Sequence, residues 1–444
     1  MDDLDAELGV EEIHLDDIWH DELEGEAETA KQPSLPVKVQ WDKETRFETG
    51  FHRSARVCLG RINDLLLQQR WQEAAEYMIS YTEILEDTTT TNQLLACEII
   101  WKLGTAILHQ HPNAKPEDFN SFYERMKHTG VKGYLKICLE HSFHLLVNGK
   151  FDDAKRQLSV AESWRYGKVS ASQPQMVKLV QAYRSFLDYF TWLKKKSSVS
   201  GDDDSDASAY QEMHIYFRQA SVNLQEILKE PGVWDPFIIS YVNMLEFYGD
   251  QEGALNVLKE YAYDNRFPSN PNAHVYLYQH LKKHDAPEKK LIQVLQILHA
   301  LVPCHELMLE FCHILLQREK EEDLREALTV IFSLLDYSGW KDNLEAWCCL
   351  RDLLKLLKKK KLKRFIPEEW ESRGPWWPAY HFRTYQAHQN FELNPELVKV
   401  KAVVAAALLG NRCIYCRTKN KLIAETRREK QRTAPLTRRT RGKP

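Results

Sequence analysis

The first thirty residues contain no lysine and no arginine. A secretory leader opens on a basic segment, so none is expected here. Long hydrophobic runs are missing too. The longest wholly apolar stretch, residues 402–409, is eight residues, against about 20 needed to span a bilayer as a helix. No credible run alternates apolar and polar residues in the two-residue period of a half-buried strand. There is no GxSxG, no HExxH, no kinase-type set and no Gly-rich phosphate loop following a strand. No catalytic residue, cofactor or metal site is therefore expected. The nine cysteines are odd in number and scattered, which predicts reduced thiols in a cytosolic or nuclear protein rather than a disulfide framework.

Apolar residues make up 43% of the 444 and aromatics 11%, enough for a large core and too many for wholesale disorder. The net charge of −4 conceals a strong polarity. Residues 1–30 carry −13, residues 412–444 carry +10, and the body between them is close to neutral. The acidic head intersperses Ile13, Leu15, Ile18 and Trp19 among acids such as Asp16 and Asp17. This pattern predicts a segment, unfolded alone, that orders on a partner, with a plain solvating tail as the alternative.

Between the charged ends the pattern is helical nearly throughout. Asp235-Pro236 supplies an N-cap and a first-turn proline, residues 237–248 show helical periodicity, and Gly249 suits a left-handed helix end. A very short turn leads into residues 251–261. Asn270-Pro271 opens the next helix and Pro287 the one after, which stops near Pro303. Asn394-Pro395 repeats the start signal before a helix ending at Gly410. Short turns between helices make antiparallel hairpins. Lys194-Lys195-Lys196 followed by a Ser- and Asp-rich stretch lacks periodicity and reads as a linker.

One spacing recurs. Gly149 is followed by Phe151, Ala154, Leu158 and Ala161, and Gly249 by Gln251, Ala254, Leu258 and Tyr261. Trp71, Ala74, Met78 and Tyr81 fit the same register, as do Leu324, Ala327, Ile331 and Leu334. The spacing resembles that of the second helix of a tetratricopeptide repeat, where a small alanine permits close packing. For the last two passages, which lack the glycine, an ordinary amphipathic helix explains the pattern equally well.

The predicted fold is therefore all-α, a tetratricopeptide-like helical-hairpin solenoid with disordered charged termini. The expected organisation is an acidic head and linker (1–50), a helical-repeat half (51–195), an acidic linker (196–210), a second helical half (211–411) and a basic disordered tail (412–444).

Few residues invite chemistry. Cys413 and Cys416 form a CxxC, but zinc needs four ligands and no second pair lies nearby. Cys348-Cys349 reads as core, and His109 and His111 as surface residues at a helix end. The basic clusters are more informative. Lys358, Lys359, Lys360, Lys361, Lys363 and Arg364 close one helix, where the helix dipole alone favours cations. A nuclear-import signal or a phosphate-contacting patch is the alternative. In the tail, Arg427, Arg428, Lys430 and Arg432 form one cluster and Arg438, Arg439, Arg441 and Lys443 a second. Without aromatics they would attract nucleic acid regardless of sequence, or bind an import receptor.

Three passages go beyond generic helical periodicity. The first runs Pro231-Gly232-Val233-Trp234-Asp235-Pro236-Phe237, through Met244-Leu245-Glu246-Phe247-Tyr248-Gly249-Asp250, to Tyr261-Ala262-Tyr263-Asp264 and Phe267-Pro268-Ser269-Asn270-Pro271-Asn272-Ala273-His274. The second is Glu98-Ile99-Ile100-Trp101-Lys102-Leu103-Gly104. The third is Glu368-Glu369-Trp370 with Trp376-Trp377-Pro378 and His381-Phe382. Together they resemble the A-subunit family of the TATA-box-binding-protein-associated factors of RNA polymerase I, over roughly residues 55–410. The resemblance implies a non-enzymatic component of the promoter selectivity complex. Its partners would be TATA-box-binding protein, the other associated factors of that complex, the RNA polymerase I machinery and, through the complex, the ribosomal DNA promoter. It also implies a nuclear, nucleolar location. A generic helical-repeat adaptor in RNA processing or chaperone docking is the alternative.

Overall fold

A computed structural model describes residues 50–86, 88–129, 133–164, 172–199 and 207–433. Regular structure among them is helical, with no strand. Two compact units divide at residue 114. In the first, α1 (Gly50–Leu67) and α2 (Trp71–Glu86) form a hairpin, and α3 (Thr90–Gln110) packs on α2. Cys58, Ile62 and Leu65 fall on one stripe of α1 and meet Ala74, Met78 and Tyr81 of α2.

The second unit starts with α4 (Pro116–Thr129), α5 (Tyr134–Val147) and α6 (Phe151–Ser163). Two long helices follow, α7 (Ser172–Val199) and α8 (Ala207–Leu228). Next come α9 (Asp235–Phe247), α10 (Gln251–Ala262), α11 (Pro271–Lys283), α12 (Glu288–Leu301), α13 (Leu307–Arg318) and α14 (Glu321–Leu335). Each helix from α4 to α14 packs against its successor. The unit is completed by α15 (Leu344–Lys359), the short α16 (Phe365–Glu371) and α17 (Trp377–His381), and α18 (Thr384–Leu393), α19 (Pro395–Leu409) and α20 (Ile414–Thr433). One apolar core runs from Ala182 in α7 to Leu422 in α20. Each fully buried leucine in it contributes about 1.5–3 kcal/mol.

A single turn design joins the hairpins. Gly149 and Gly249 have φ of 72° and 79°. Lys150 N–H reaches Leu145 O at 2.9 Å and Asp250 N–H reaches Leu245 O at 2.9 Å, while the glycine N–H groups bond Leu146 O and Glu246 O. This Schellman arrangement satisfies carbonyls that the helix end leaves open. The same pair of bonds recurs at Gln69, Asp285 and Lys361, which also take positive φ without being glycine. In all five turns the acceptor four residues earlier is a buried leucine: Leu65, Leu145, Leu245, Leu281 or Leu357.

The four marker alanines, Ala74, Ala154, Ala254 and Ala327, are fully buried. Ala74, Ala154 and Ala254 are each the fourth residue of the second helix of a hairpin, α2, α6 and α10, whereas Ala327 lies about one turn further along α14. The 71–81 passage thus shares the register of the two glycine hairpins, and the 324–334 passage does not. The turn before α14 uses Glu319, with φ of 52°.

Three expectations are corrected. The 196–210 segment does not separate two halves. The helices on either side of it, α7 and α8, pack extensively on each other, placing Tyr189, Trp192, Met213 and Ala220 in one core. Helix α7 runs on through its lysines, with Lys196 over the rings of Trp192 and Phe247 at 5.3 and 4.6 Å, a favourable cation–π arrangement. The basic tail is not irregular from residue 412. Helix α20 runs to Thr433 and docks on α18 and α19 through Tyr415, Cys416, Thr418 and Leu422, a helical stripe that the surrounding cations obscure. Asp235 does not cap its own helix; the cap position is Trp234 and the Asp235 carboxylate serves other partners.

Two kinds of substitution test the packing and the turn. Ala154→Leu and Ala254→Leu each overpack a hairpin and are expected to cost about 1–3 kcal/mol. Gly249→Ala meets open space at its Cβ but retains a left-handed backbone, and is expected to cost about 1 kcal/mol. Urea unfolding midpoints measure all three, and unchanged midpoints would place the alanines on the surface.

Candidate partner and nucleic-acid interfaces

The basic end of α15 is a surface patch. Lys360 is tied to Glu319, with Nζ 2.6 Å from its carbonyl and 2.8 Å from its carboxylate, and Arg364 pairs with Glu321. Lys358, Lys359, Lys361 and Lys363 are exposed, and none is drawn into an ion pair in the way Lys360 and Arg364 are. Part of the cluster thus braces the α13–α14 turn and the rest projects positive charge into solvent. Arg427 and Arg428 are exposed on α20. The side chains of Lys430 and Arg432 lie outside the described residues, as do Arg438, Arg439, Arg441 and Lys443. So does the acidic head, with Ile13, Leu15, Asp16, Asp17, Ile18 and Trp19.

An apolar groove of about 720 Å³ opens along α5, α6, α7 and α8. Phe143, Phe151, Tyr183, Phe186, Phe190 and Tyr216 line it, with Lys155 and Lys194 beside them. Phe143 and Phe190 are 37% and 43% exposed. Large apolar side chains left open in a concave surface are the usual mark of a protein-contact site.

The passages that carry the family resemblance build polar fasteners. Tyr261 donates its hydroxyl to Asp235 Oδ1 at 2.6 Å and accepts the Trp234 N–H at 2.7 Å. Asn270 and Asn272 donate to the two Asp235 oxygens at 2.6 and 2.7 Å. Burial, together with the Asp235 carboxylate, raises the Tyr261 phenol well above its ordinary range. One carboxylate thereby joins the start of α9 to the end of α10 and the start of α11. Further on, Arg373 Nε faces both Asp336 oxygens at 3.1 and 3.0 Å, and its Nη1 donates to the Glu369 carboxylate at 2.7 Å. Trp377 Nε1 donates to Asp336 Oδ1 at 2.6 Å. These bonds hold the short helices α16 and α17 on the end of α14.

Two buried lysines act similarly. Lys127 Nζ contacts Glu124 Oε1 (2.9 Å), Gln157 Oε1 (2.8 Å) and His141 Nδ1 (2.9 Å). Burial, then the Lys127 charge, lowers His141 to about 4. The ring is therefore neutral, accepting at Nδ1 and donating from Nε2 to Asn120 Oδ1 at 3.0 Å. Lys401, fully buried on α19, reaches Asp342 Oδ1 at 2.8 Å, where Asn390 also donates. Beside it His381 is buried with neither ring nitrogen hydrogen-bonded. Burial first, then the Lys401 charge, lowers it to about 3. These anchors were not singled out from the sequence. Their signal is a lone charge on an apolar helix face, as at Lys401 between Val400 and Ala402.

Several cysteines pack in the core. Cys349 is buried and Cys348 partly so. Cys416 is buried and donates to Ala402 O at 3.2 Å, and burial pushes its thiol up to about 12. His111 Nε2 contacts Gln72 Oε1 at 2.6 Å, bracing α3 on α2.

Stacked hairpins with a positive patch and an open apolar groove define an all-helical repeat protein. Within that class, the chain belongs to the TAF RNA Polymerase I A-subunit family, whose family model matches residues 64–421. It is 48% identical over 383 residues to the A-subunit of the TATA box-binding protein-associated factor RNA polymerase I set from Mus musculus, covering 86% of this chain and 84% of the relative. It is 46% identical over 370 residues to the Homo sapiens protein of the same name, covering 83% and 82%. The family match extends into α20, past the limit of the resemblance read from the sequence.

The buried histidines predict acid sensitivity. His141 and His381 have folded pKa values depressed below the ordinary 6.5. Between pH 6.5 and about 4 the unfolded chain takes up protons that the folded chain does not, so stability falls as pH falls through that window. Each such proton adds about 1.4 kcal/mol per pH unit to the slope. His381→Phe is expected to remove one proton from the slope measured by urea unfolding across this range; an unchanged slope would mean that His381 titrates normally.

Proposed function

We propose that this chain is a non-catalytic scaffold component of the RNA polymerase I promoter selectivity complex. In this reading it binds TATA-box-binding protein and sister associated factors. It thereby supports pre-initiation complex assembly on ribosomal RNA genes in the nucleolus. The observation that carries the reading is the family match across residues 64–421, which takes in helices of both compact units. The names of the mouse and human relatives supply the association with TATA box-binding protein and RNA polymerase I.

The surfaces suit the role. Hairpin stacks expose many helix faces at once and can hold several partners. The groove at Phe143 and Phe190 takes apolar side chains of a protein partner, and the acidic segment at residues 13–19 is a second docking element. The exposed lysines of α15 and the cations of α20 and the tail contact DNA phosphates without reading bases. None of the described helices is long and apolar enough to cross a membrane.

Tagged full-length protein recovered from nuclear extract is expected to bring down TATA-box-binding protein in stoichiometric amount. Its absence from the eluate would remove the proposed role. The double variant Phe143→Ala/Phe190→Ala is expected to lose at least one protein partner while keeping its fold by circular dichroism.

For the cations, deletion of residues 424–444 in purified complex is expected to weaken promoter and random DNA alike. The slope of log affinity against log salt should flatten by ~0.9 for each phosphate no longer neutralised. Lys358→Ala, Lys359→Ala, Lys361→Ala and Lys363→Ala together should act in the same direction. An unchanged salt slope in both would leave these clusters with no part in DNA binding, and selective loss of promoter binding would mean that they read sequence or shape.

A further inference from the structure

Glu246, His280 and His284 converge where two helices end side by side. Glu246 lies in the last turn of α9, His280 in the last turn of α11, and His284 at the α11 C-cap. His280 Nδ1 is 2.9 Å from Glu246 Oε1, and His284 Nε2 is 3.5 Å from the same oxygen. One donor atom from each of the three residues lies within 4.8 Å of the other two. A tetrahedral ion with bonds of about 2.0–2.1 Å sets its ligand atoms about 3.3 Å apart, so small side-chain shifts would suffice to seat one.

Three further observations favour a cation there. His284 Nε2 is shielded from solvent and faces Glu246 Oε1 at 3.5 Å, too long for a strong hydrogen bond. Two helix C-termini meet at the site, and each carries about half a negative charge from its peptide dipoles. The site already attracts one cation, since Lys283 pairs with the second Glu246 oxygen. Lys283 is the more exposed partner of that pair and has a flexible stem that can swing away. The backbone beneath is firm, because the left-handed turns at Gly249 and Asp285 fix the two helix ends. A cavity of about 220 Å³, lined by Ile239, Val242, Tyr276 and Gln279 together with Glu246 and His280, adjoins the donors.

We propose that Glu246, His280 and His284 form a three-ligand site for a divalent transition ion of the zinc class, with one coordination position left for water or a partner side chain. Two imidazoles and one carboxylate are the donor set that zinc accepts in open sites. The ion would replace the Lys283 ammonium on Glu246 and clamp α9 to α11. Linear patterning holds no sign of such a site, because the His-x-x-x-His pair lies on one helix and its carboxylate 34 residues earlier on another.

Purified full-length protein, stripped with chelator, is titrated with Co²⁺ and followed by visible absorption, with Zn²⁺ competition. One Co²⁺ per chain with absorption of tetrahedral intensity is expected, together with a higher thermal midpoint when Zn²⁺ is added. His284→Ala, a change at a helix end, should weaken binding at least tenfold and abolish the thermal shift. Lys283→Ala should tighten binding, because it removes the competing cation, and this variant does not depend on losing a ligand. Cys413→Ser should change nothing. The proposal is overturned if Co²⁺ gives no visible band, if His284→Ala binds as well as the parent, or if binding disappears in Cys413→Ser instead.

Discussion

Close approach of the two helices within a hairpin is the constraint from which most of this architecture follows. Ala74, Ala154, Ala254 and Ala327 are fully buried on the second helix of each hairpin. Alanine costs little in helix propensity and nothing in side-chain entropy, so these contacts come without the ordering cost of a long side chain. Once the second helix of a hairpin is held this near the first, the Leu or Tyr side chains one turn further on are driven into the shared core. The left-handed turn sets the distance at which the pair begins, and the alanine sets how near the helices come.

Apolar stripes alone do not determine how one hairpin follows another, because an apolar face can slide. The buried polar groups supply that determination. Asp235, Asp336, Lys127 and Lys401 each reach partners on other elements, and a displaced hairpin would leave a charge buried without a partner. Leaving a buried donor or acceptor without its partner costs about 1–3 kcal/mol. The family's own sequence passages coincide with these fasteners: Trp234, Asp235, Tyr261, Asn270 and Asn272 in one case, and Glu369 and Trp377 in the other.

Much of the fold was legible in the sequence because its signals are local. Proline at Pro236, Pro271 and Pro395 and glycine at Gly149, Gly249 and Gly410 marked helix ends within a residue or two. The turns at Gln69, Asp285 and Lys361 were not legible as turns, since nothing in those side chains announces a positive φ. The buried leucine four residues before each is the sign that would have found them. Helix α20 was hidden for a different reason. Its apolar stripe is only Tyr415, Cys416 and Leu422, and the surrounding cations dominate the pattern, although those cations point outward and cost the helix nothing. The candidate interaction surfaces were half legible. The lysine run was plain, but which lysines are spent on Glu319 and which face solvent depends on a turn 41 residues away. The groove at Phe143 and Phe190 brings together four helices and has no linear signature.

The three-residue turns between α1 and α2, α5 and α6, and α9 and α10 bear on how the chain is made. So short a closure carries little entropy cost, and helical elements form in about a microsecond. A ribosome adds about 5–20 residues each second, so a hairpin of some thirty residues takes seconds to emerge and a tiny fraction of that to close. Each pair is therefore settled before the next leaves the exit tunnel. The growing polypeptide keeps little more than one unmatched greasy face open at any moment, which limits its exposure to aggregation during synthesis. The exception is α7, whose 28 residues must wait for α8 before their aromatic side is covered. That interval is where a nascent-chain chaperone would have most to do.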